Sequence, residues 1–228
     1  MGVSGHVILV GCGRLGGRIA KLLKEMDENV IIIEKDAEAE FVEEIKTETG
    51  FPLLFGDAKD AGVLEEANVR EAATIVFASN DFLANFEISL KAKEMNPHIR
   101  VVLRMFEQEL AESFKKRFNI DSVFSVSALA APPFAISALT KHVIINTFEI
   151  HGKLLIFSRF CVGENSGLLG KTIQELEKLN LSVIMHQGHC KELHLHPKPD
   201  LKIESGDLLL IMASSKVIEK IAEINEGR

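Results

Sequence analysis

The stretch HVILVGCGRLGGRIAKLL, residues 6–23, decides the fold. A short apolar run ends in Gly11-Cys12-Gly13-Arg14-Leu15-Gly16, and a helical pattern starts at once. The three glycines have different physical jobs in such a loop. Gly11 permits a tight turn out of the strand, and Gly13 lets the backbone approach a pyrophosphate. Gly16 lets the helix pack closely on the sheet, so that its N-terminus faces the phosphates. Glycines also gather in turns for packing alone, so the motif takes its meaning from context. Here a strand precedes it, a helix follows it, and an acid ends the next strand. That acid is Glu34, 23 positions after Gly11. A carboxylate there takes both hydroxyls of an adenosine ribose and repels a 2′-phosphate, so NAD(H), ADP or ATP is expected over NADP(H). Arg14 either sits over the phosphates or is solvated on the first helical turn. Cys12 reads as a small packed residue, because no base adjoins it in sequence.

Apolar runs and helical patterns alternate through the first 125 residues. Strands are expected at 6–11, 29–35, 52–57, 74–79, 101–105 and 122–126. Each run is short, β-branched or phenylalanine-rich, and lacks polar alternation, as strands covered on both faces do. Helices are expected over Leu15–Met26, Glu38–Glu48, Ala58–Ala67, Asp81–Met95 and Gln108–Phe118. Such repetition forces a parallel sheet with right-handed crossovers: an α/β, Rossmann-like doubly wound domain over residues 1–143. After residue 142 the texture changes. Strand-like runs at 145–150, 153–160, 181–186, 191–196 and 207–213 accompany only two helices, Thr172–Leu179 and Ser215–Ile224. This predicts a small α+β domain over 144–228, joined through a connecting helix at about 126–142.

The bulk numbers narrow the classes. The 228 residues are 46% apolar and 26% charged, an ordinary globular composition, and the net charge of −7 argues against nucleic acid as a partner. Three scattered cysteines make no disulfide framework, and a strand begins where a signal peptide would stand, so a reducing cytoplasm is expected. The longest uncharged run is SVFSVSALAAPPFAISALT, residues 122–140. Its four serines and Pro132-Pro133 favour a buried or interface helix with a proline start or kink over a membrane span. A compact monomer would struggle to cover it, so at least a dimer is expected.

Taken together the chain resembles the RCK family, the regulators of potassium conductance. The residues that carry the resemblance are GCGRLG (11–16), IIIEKD (31–36), FGDAKD (55–60), ASNDFLAN (78–85), VLRMF (102–106) and IESGDLLLIMA (203–213). The resemblance covers essentially the whole chain. It implies a cytoplasmic regulatory subunit or domain of a potassium channel or Trk-type uptake system, held at the inner face of the membrane through that partner. It implies a homo-oligomer, a dimer through the connecting helix or a higher ring. It places Gly11, Gly13, Arg14 and Leu15 around the phosphates, Glu34 on the ribose, and Asp57 and Ala58 beside the adenine. Ser79, Asn80 and Asp81 end the fourth strand, and Arg104 ends the fifth, opening on the same crevice. Arg104 suits a counter-charge to a pyrophosphate or, alternatively, a salt bridge to Glu107. One departure is the position of Pro132-Pro133, several residues later than the proline of many family members, which changes how the connecting helix enters.

Four of the eight histidines fall in HQGHCKELHLH, residues 186–196. His186, His189, Cys190, His194 and His196 are candidate metal ligands, and His194 and His196 would project from one face of a strand. Their spacing matches no closed zinc site, so no metal is assigned. The other readings are a polar hairpin, exposed or at an interface, and a pH-sensitive one. No acid–base constellation, Walker loop, nucleophile elbow or HExxH motif is present, which points to a nucleotide sensor rather than an enzyme. The alternative is a small NAD-dependent oxidoreductase or a fragment of one. A transcriptional redox sensor would need a DNA-binding domain that the sequence lacks.

Overall fold

The computed structural model describes residues 3–105, 115–139, 143–150, 153–188 and 192–227. The chain divides into two units, Met1–Leu129 and Ala130–Arg228. The first unit is built on one parallel sheet in the order β3-β2-β1-β4-β5-β6. Its strands are β1 (Val7–Val10), β2 (Val30–Glu34), β3 (Leu53–Phe55), β4 (Thr74–Phe77), β5 (Arg100–Met105) and β6 (Ser122–Ser125). Alternate residues of the central strands feed two different cores. Ile8, Val10, Ile31 and Ile33 join one cluster, while Leu9, Val30 and Ile32 join another. Both faces are therefore covered, which is why these strands show no polar alternation.

The helices of this unit are α1 (Arg14–Glu25), α2 (Val42–Thr49), α3 (Ala61–Glu66) and α4 (Phe82–Met95). Helix α1 turns Gly16, Gly17 and Ala20 inward, small residues that allow close approach to the sheet and to α2. A Cβ on Gly17 would stand 3.4 Å from Ile45 of α2. Lys21 fastens the same two helices from outside, 2.6 Å from Glu44 and 2.8 Å from Glu48. Helix α4 is started by Asp81, whose carboxylate accepts the Ala84 N–H at 3.0 Å.

The helix expected over 38–48 starts later than the sequence suggests, at Val42. Asp36 explains the delay, because its Oδ1 accepts the Glu38 N–H at 3.0 Å and holds the chain in a turn. Of the helix expected over 108–118, only 115–118 lies among the described residues, and these are helical.

Helix α5 (Val126–Leu139) spans the division between the units and carries Pro132 and Pro133 inside it. Neither proline can donate to the carbonyl four residues back. Among the described residues no helix is long and apolar enough to cross a membrane.

The second unit has one antiparallel sheet in the order β10-β9-β11-β8-β7. Its strands are β7 (Val143–Ile150), β8 (Lys153–Cys161), β9 (Ser182–Gln187), β10 (Leu193–Leu195) and β11 (Leu208–Ala213). Two helices follow the expected places, α6 (Ile173–Glu177) and α7 (Ser215–Asn225). A capping box starts α6: Thr172 accepts the Glu175 N–H, and the Glu175 carboxylate accepts the Thr172 N–H. Ile156, Phe160, Leu209 and Ile211 from the strands meet Ile173, Leu176, Ile218 and Ile221 from the helices in a separate core.

Candidate functional site

The strand order reverses beside β1, where β2 lies on one side and β4 on the other. Such a switch point leaves a crevice at the carboxyl ends of the strands. Here it is a cleft of about 1300 Å³. That exceeds the roughly 300–1,000 Å³ of drug-sized sites and leaves room for a dinucleotide.

The glycine loop forms its floor. Gly11 has φ +103°, a conformation that side chains with a Cβ rarely adopt, and a Cβ there would lie 3.3 Å from the Ser79 nitrogen. Gly13 is extended, with nothing within 4 Å of the place a Cβ would occupy. Its bare Cα therefore faces open space, which suits a close-lying phosphate group. Helix α1 begins here with no side-chain cap and no acid in its first turn. Its first amides and dipole are thus offered to an anion in the cleft.

Glu34 ends β2 and is half-buried. Its Oε2 accepts the Cys12 N–H at 2.5 Å and its Oε1 accepts the Asp36 N–H at 3.0 Å. The carboxylate that would read a ribose thus also holds the glycine loop. Burial first, and the Glu34 charge second, push the Cys12 thiol up to about 12, so it stays protonated and inert at neutral pH.

The other residues singled out in the sequence reach the same cleft, with one exception. Gly11, Gly13, Arg14, Leu15, Glu34, Asp57, Ala58, Ser79, Asn80, Asp81 and Arg104 all line it. Gly16 does not; it lies behind the loop, where a Cβ would stand 1.9 Å from the Gly11 carbonyl oxygen. Arg14 has a defined place, its guanidinium 5.9 Å from the centre of the Phe41 ring. Asp57 accepts the Lys59 N–H and pairs with Lys35 at 2.9 Å. These two contacts, in that order, hold its carboxyl below the usual range. Ser79 donates to Asn85 Oδ1 at 2.7 Å, while Asp81 serves α4 as its cap. Arg104 is half-buried and donates to the Ala78 carbonyl at 3.3 Å. Glu107, its alternative partner, lies outside the described residues.

Arg18, Lys35 and Phe41 also line the cleft, and sequence reasoning did not single them out. A signal existed for Arg18, which follows Arg14 by one helical turn, and for Lys35, which adjoins Glu34.

The histidine candidates divide. His186 and His194 stand opposite each other on β9 and β10. His196 does not continue the strand: β10 ends at Leu195, and His196 has φ +54°. The expectation that His194 and His196 share a strand face is therefore corrected: the His196 N–H still donates to the Ile184 carbonyl of β9 at 3.0 Å, but its left-handed backbone turns the chain out of the strand. His189 and Cys190 lie outside the described residues.

A positive side chain at the β5 end should matter most to ligands with several phosphates. Arg104→Ala is expected to weaken NAD or ADP by about tenfold or more, and adenosine much less. Calorimetry with the three ligands checks it; equal losses for all of them would remove Arg104 from the phosphates.

Two family models match the chain: the TrkA-N domain over residues 7–126 and the TrkA-C domain over residues 157–225. A Trk system potassium uptake protein TrkA homolog of Pyrococcus abyssi is 25% identical over 228 residues, covering 98% of each chain. Potassium channel protein 1 of Methanocaldococcus jannaschii is 23% identical over 230 residues, covering 99% of this chain and 68% of that one. The solved GsuK channel bound to NAD shares the fold, with a TM-score of 0.59 at 16% identity. It covers 98% of this chain and 40% of that one.

Proposed function

Since the chain belongs to the TrkA-N domain family and carries a TrkA-C domain as well, we propose that it regulates potassium uptake or a potassium channel by binding an adenine nucleotide. The observation that carries this reading is the double duty of Glu34. Its carboxylate is aimed into a cleft of dinucleotide size while it holds the Cys12 amide of the glycine loop. A ribose that engages Glu34 therefore acts on the loop that cradles the phosphates. Binding biases the loop between two arrangements, and a bias of this kind is a signal.

The three acids singled out in the cleft, Glu34, Asp57 and Asp81, are engaged in holding the structure, which supports a binding site over proton transfer. Glu34 is tied to two backbone amides, Asp57 to Lys35, and Asp81 to the start of α4. The nucleotide is NAD(H), ADP or ATP; NAD in the GsuK structure supports the first of these. The names of the TrkA homologues and of the potassium channel relative support a membrane partner that moves potassium; this chain would act on it from the cytoplasmic face. A homo-oligomer fits α5, on which Leu129 is 61% and Phe134 78% exposed.

Calorimetry and thermal denaturation of the purified chain with NAD, NADH, ADP and ATP test the reading. Saturable binding and a raised Tm are expected, without hydride transfer or phosphate release. A tagged chain isolated from native membranes should bring a potassium-translocating protein with it. Steady turnover of the nucleotide would instead establish an oxidoreductase or a nucleotidase.

A further inference from the structure

Two imidazoles meet on the β9–β10 edge of the second sheet. His186 on β9 and His194 on β10 are directly opposite in the antiparallel register. Their rings are stacked, with centroids 5.8 Å apart and planes 24° from parallel.

The two nitrogens of His186 have unlike surroundings. Nε2 lies 2.8 Å from Asp207 Oδ2, and that same oxygen accepts the Glu204 N–H at 2.8 Å. Nδ1 is buried with no hydrogen-bond partner, in a residue only 5% exposed. An ionised Asp207 can only accept, so the proton belongs on Nε2 and the lone pair on Nδ1. A carboxylate that fixes one ring N–H and leaves the other nitrogen bare is how metal-ligating histidines are oriented. His6 makes the contrast: its Nδ1 is likewise buried and unpartnered, but its Nε2 is bound to the backbone carbonyl of Ala67, with no carboxylate behind it.

We propose that His186 Nδ1 and His194 form a two-imidazole site for a borderline divalent cation of the zinc class, with Asp207 as the orienting carboxylate. Zinc–nitrogen bonds are about 2.0–2.1 Å long, so the rings must turn from stacking to converge on one ion. His194 can supply that rotation. Its side chain is 41% exposed on an edge strand, and besides its stacking on His186 it makes a long 3.9 Å approach to Glu192. Among the described residues no group of three or more His, Cys, Asp or Glu is close enough to hold a metal. Water would fill the remaining positions, and a site of two imidazoles binds more weakly than a closed four-ligand one. The ion would join β9 to the edge strand β10 and, through Asp207, to the turn that leads into β11.

Calorimetric titration of the full chain, purified without a histidine tag, with zinc chloride tests the site against His194→Ala and Asp207→Asn. The wild type is expected to show one saturable site per chain, which His194→Ala abolishes. Because His194 is partly exposed on an edge strand, that variant should keep the wild-type melting curve in the absence of zinc. Asp207→Asn is expected to bind about ten- to a hundredfold more weakly, as other orienting carboxylates do when removed. No saturable site in the wild type, or unchanged zinc binding in His194→Ala, would overturn the proposal. Unchanged affinity in a folded Asp207→Asn would remove the orienting role and with it the His186 assignment.

Discussion

Gly16→Ala is expected to lower the stability of the N-terminal unit by about 2–4 kcal/mol, although alanine is the better helix former. The added Cβ would lie 1.9 Å from the Gly11 carbonyl oxygen and 3.0 Å from its carbon. Those are backbone atoms, so no side-chain rotation relieves the overlap. Either the loop between β1 and α1 shifts or α1 lifts from the sheet, and both routes disturb the packing of Ala20 and Gly17. Helix propensity returns only about 1 kcal/mol. A fall in Tm on the order of 10 °C or more should follow, with loss of nucleotide binding. Gly13→Ala is the control. Its Cβ would meet nothing within 4 Å and its φ of −71° suits alanine, so folding should survive. The methyl group would nevertheless project where a phosphate should lie, and affinity should fall. A Gly16→Ala protein that melts with the wild type would show that the loop does not depend on this close approach.

The parts of the molecule that were legible in the sequence are those whose causes are local. The run from His6 to Leu23 carries its strand, its turn and its helix in consecutive residues, and the structure follows it within one residue at α1. The strands were visible because both faces of the sheet are covered, which removes polar alternation. Local side-chain capture was harder to foresee. Asp36 takes the Glu38 amide and delays α2, a choice that helical periodicity does not report. Pairings between distant residues were not legible at all. His186 meets Asp207 across 21 positions, and nothing in either neighbourhood announces it. The charged residues of the cleft fall between these cases. Glu34 was found because it ends a strand, whereas Arg18 and Lys35 are exposed cations whose placement depends on how α1 and β2 face the cleft.

Glu34→Ala is expected to weaken NAD or ADP by about ten- to a hundredfold, the value of the charge-assisted hydrogen bonds a ribose would make. Part of that loss comes from the loop. With the carboxylate gone, the Cys12 N–H loses its 2.5 Å acceptor and the Asp36 N–H loses its 3.0 Å one. Glu34→Gln helps to separate the two contributions, because its single amide oxygen can still accept the Cys12 N–H but carries no charge, while the Asp36 N–H loses its acceptor. It should bind NAD with an intermediate affinity. It should also bind NADP better relative to NAD than the wild type does, since the negative charge facing a 2′-phosphate is gone. Folding should survive in both variants, because the side chain lines an open cleft rather than a core. Cys12 should stay unreactive as well: burial is the larger cause of its raised pKa, and burial remains when Glu34 is removed. Calorimetry with NAD, NADP and ADP on the three proteins reads all of this together. If wild type and Glu34→Ala bind NAD with equal affinity, Glu34 does not hold the ribose. In that case its bonds to the Cys12 and Asp36 amides are the whole of its work, and recognition of the sugar must be sought at Asp57 and Lys35 instead.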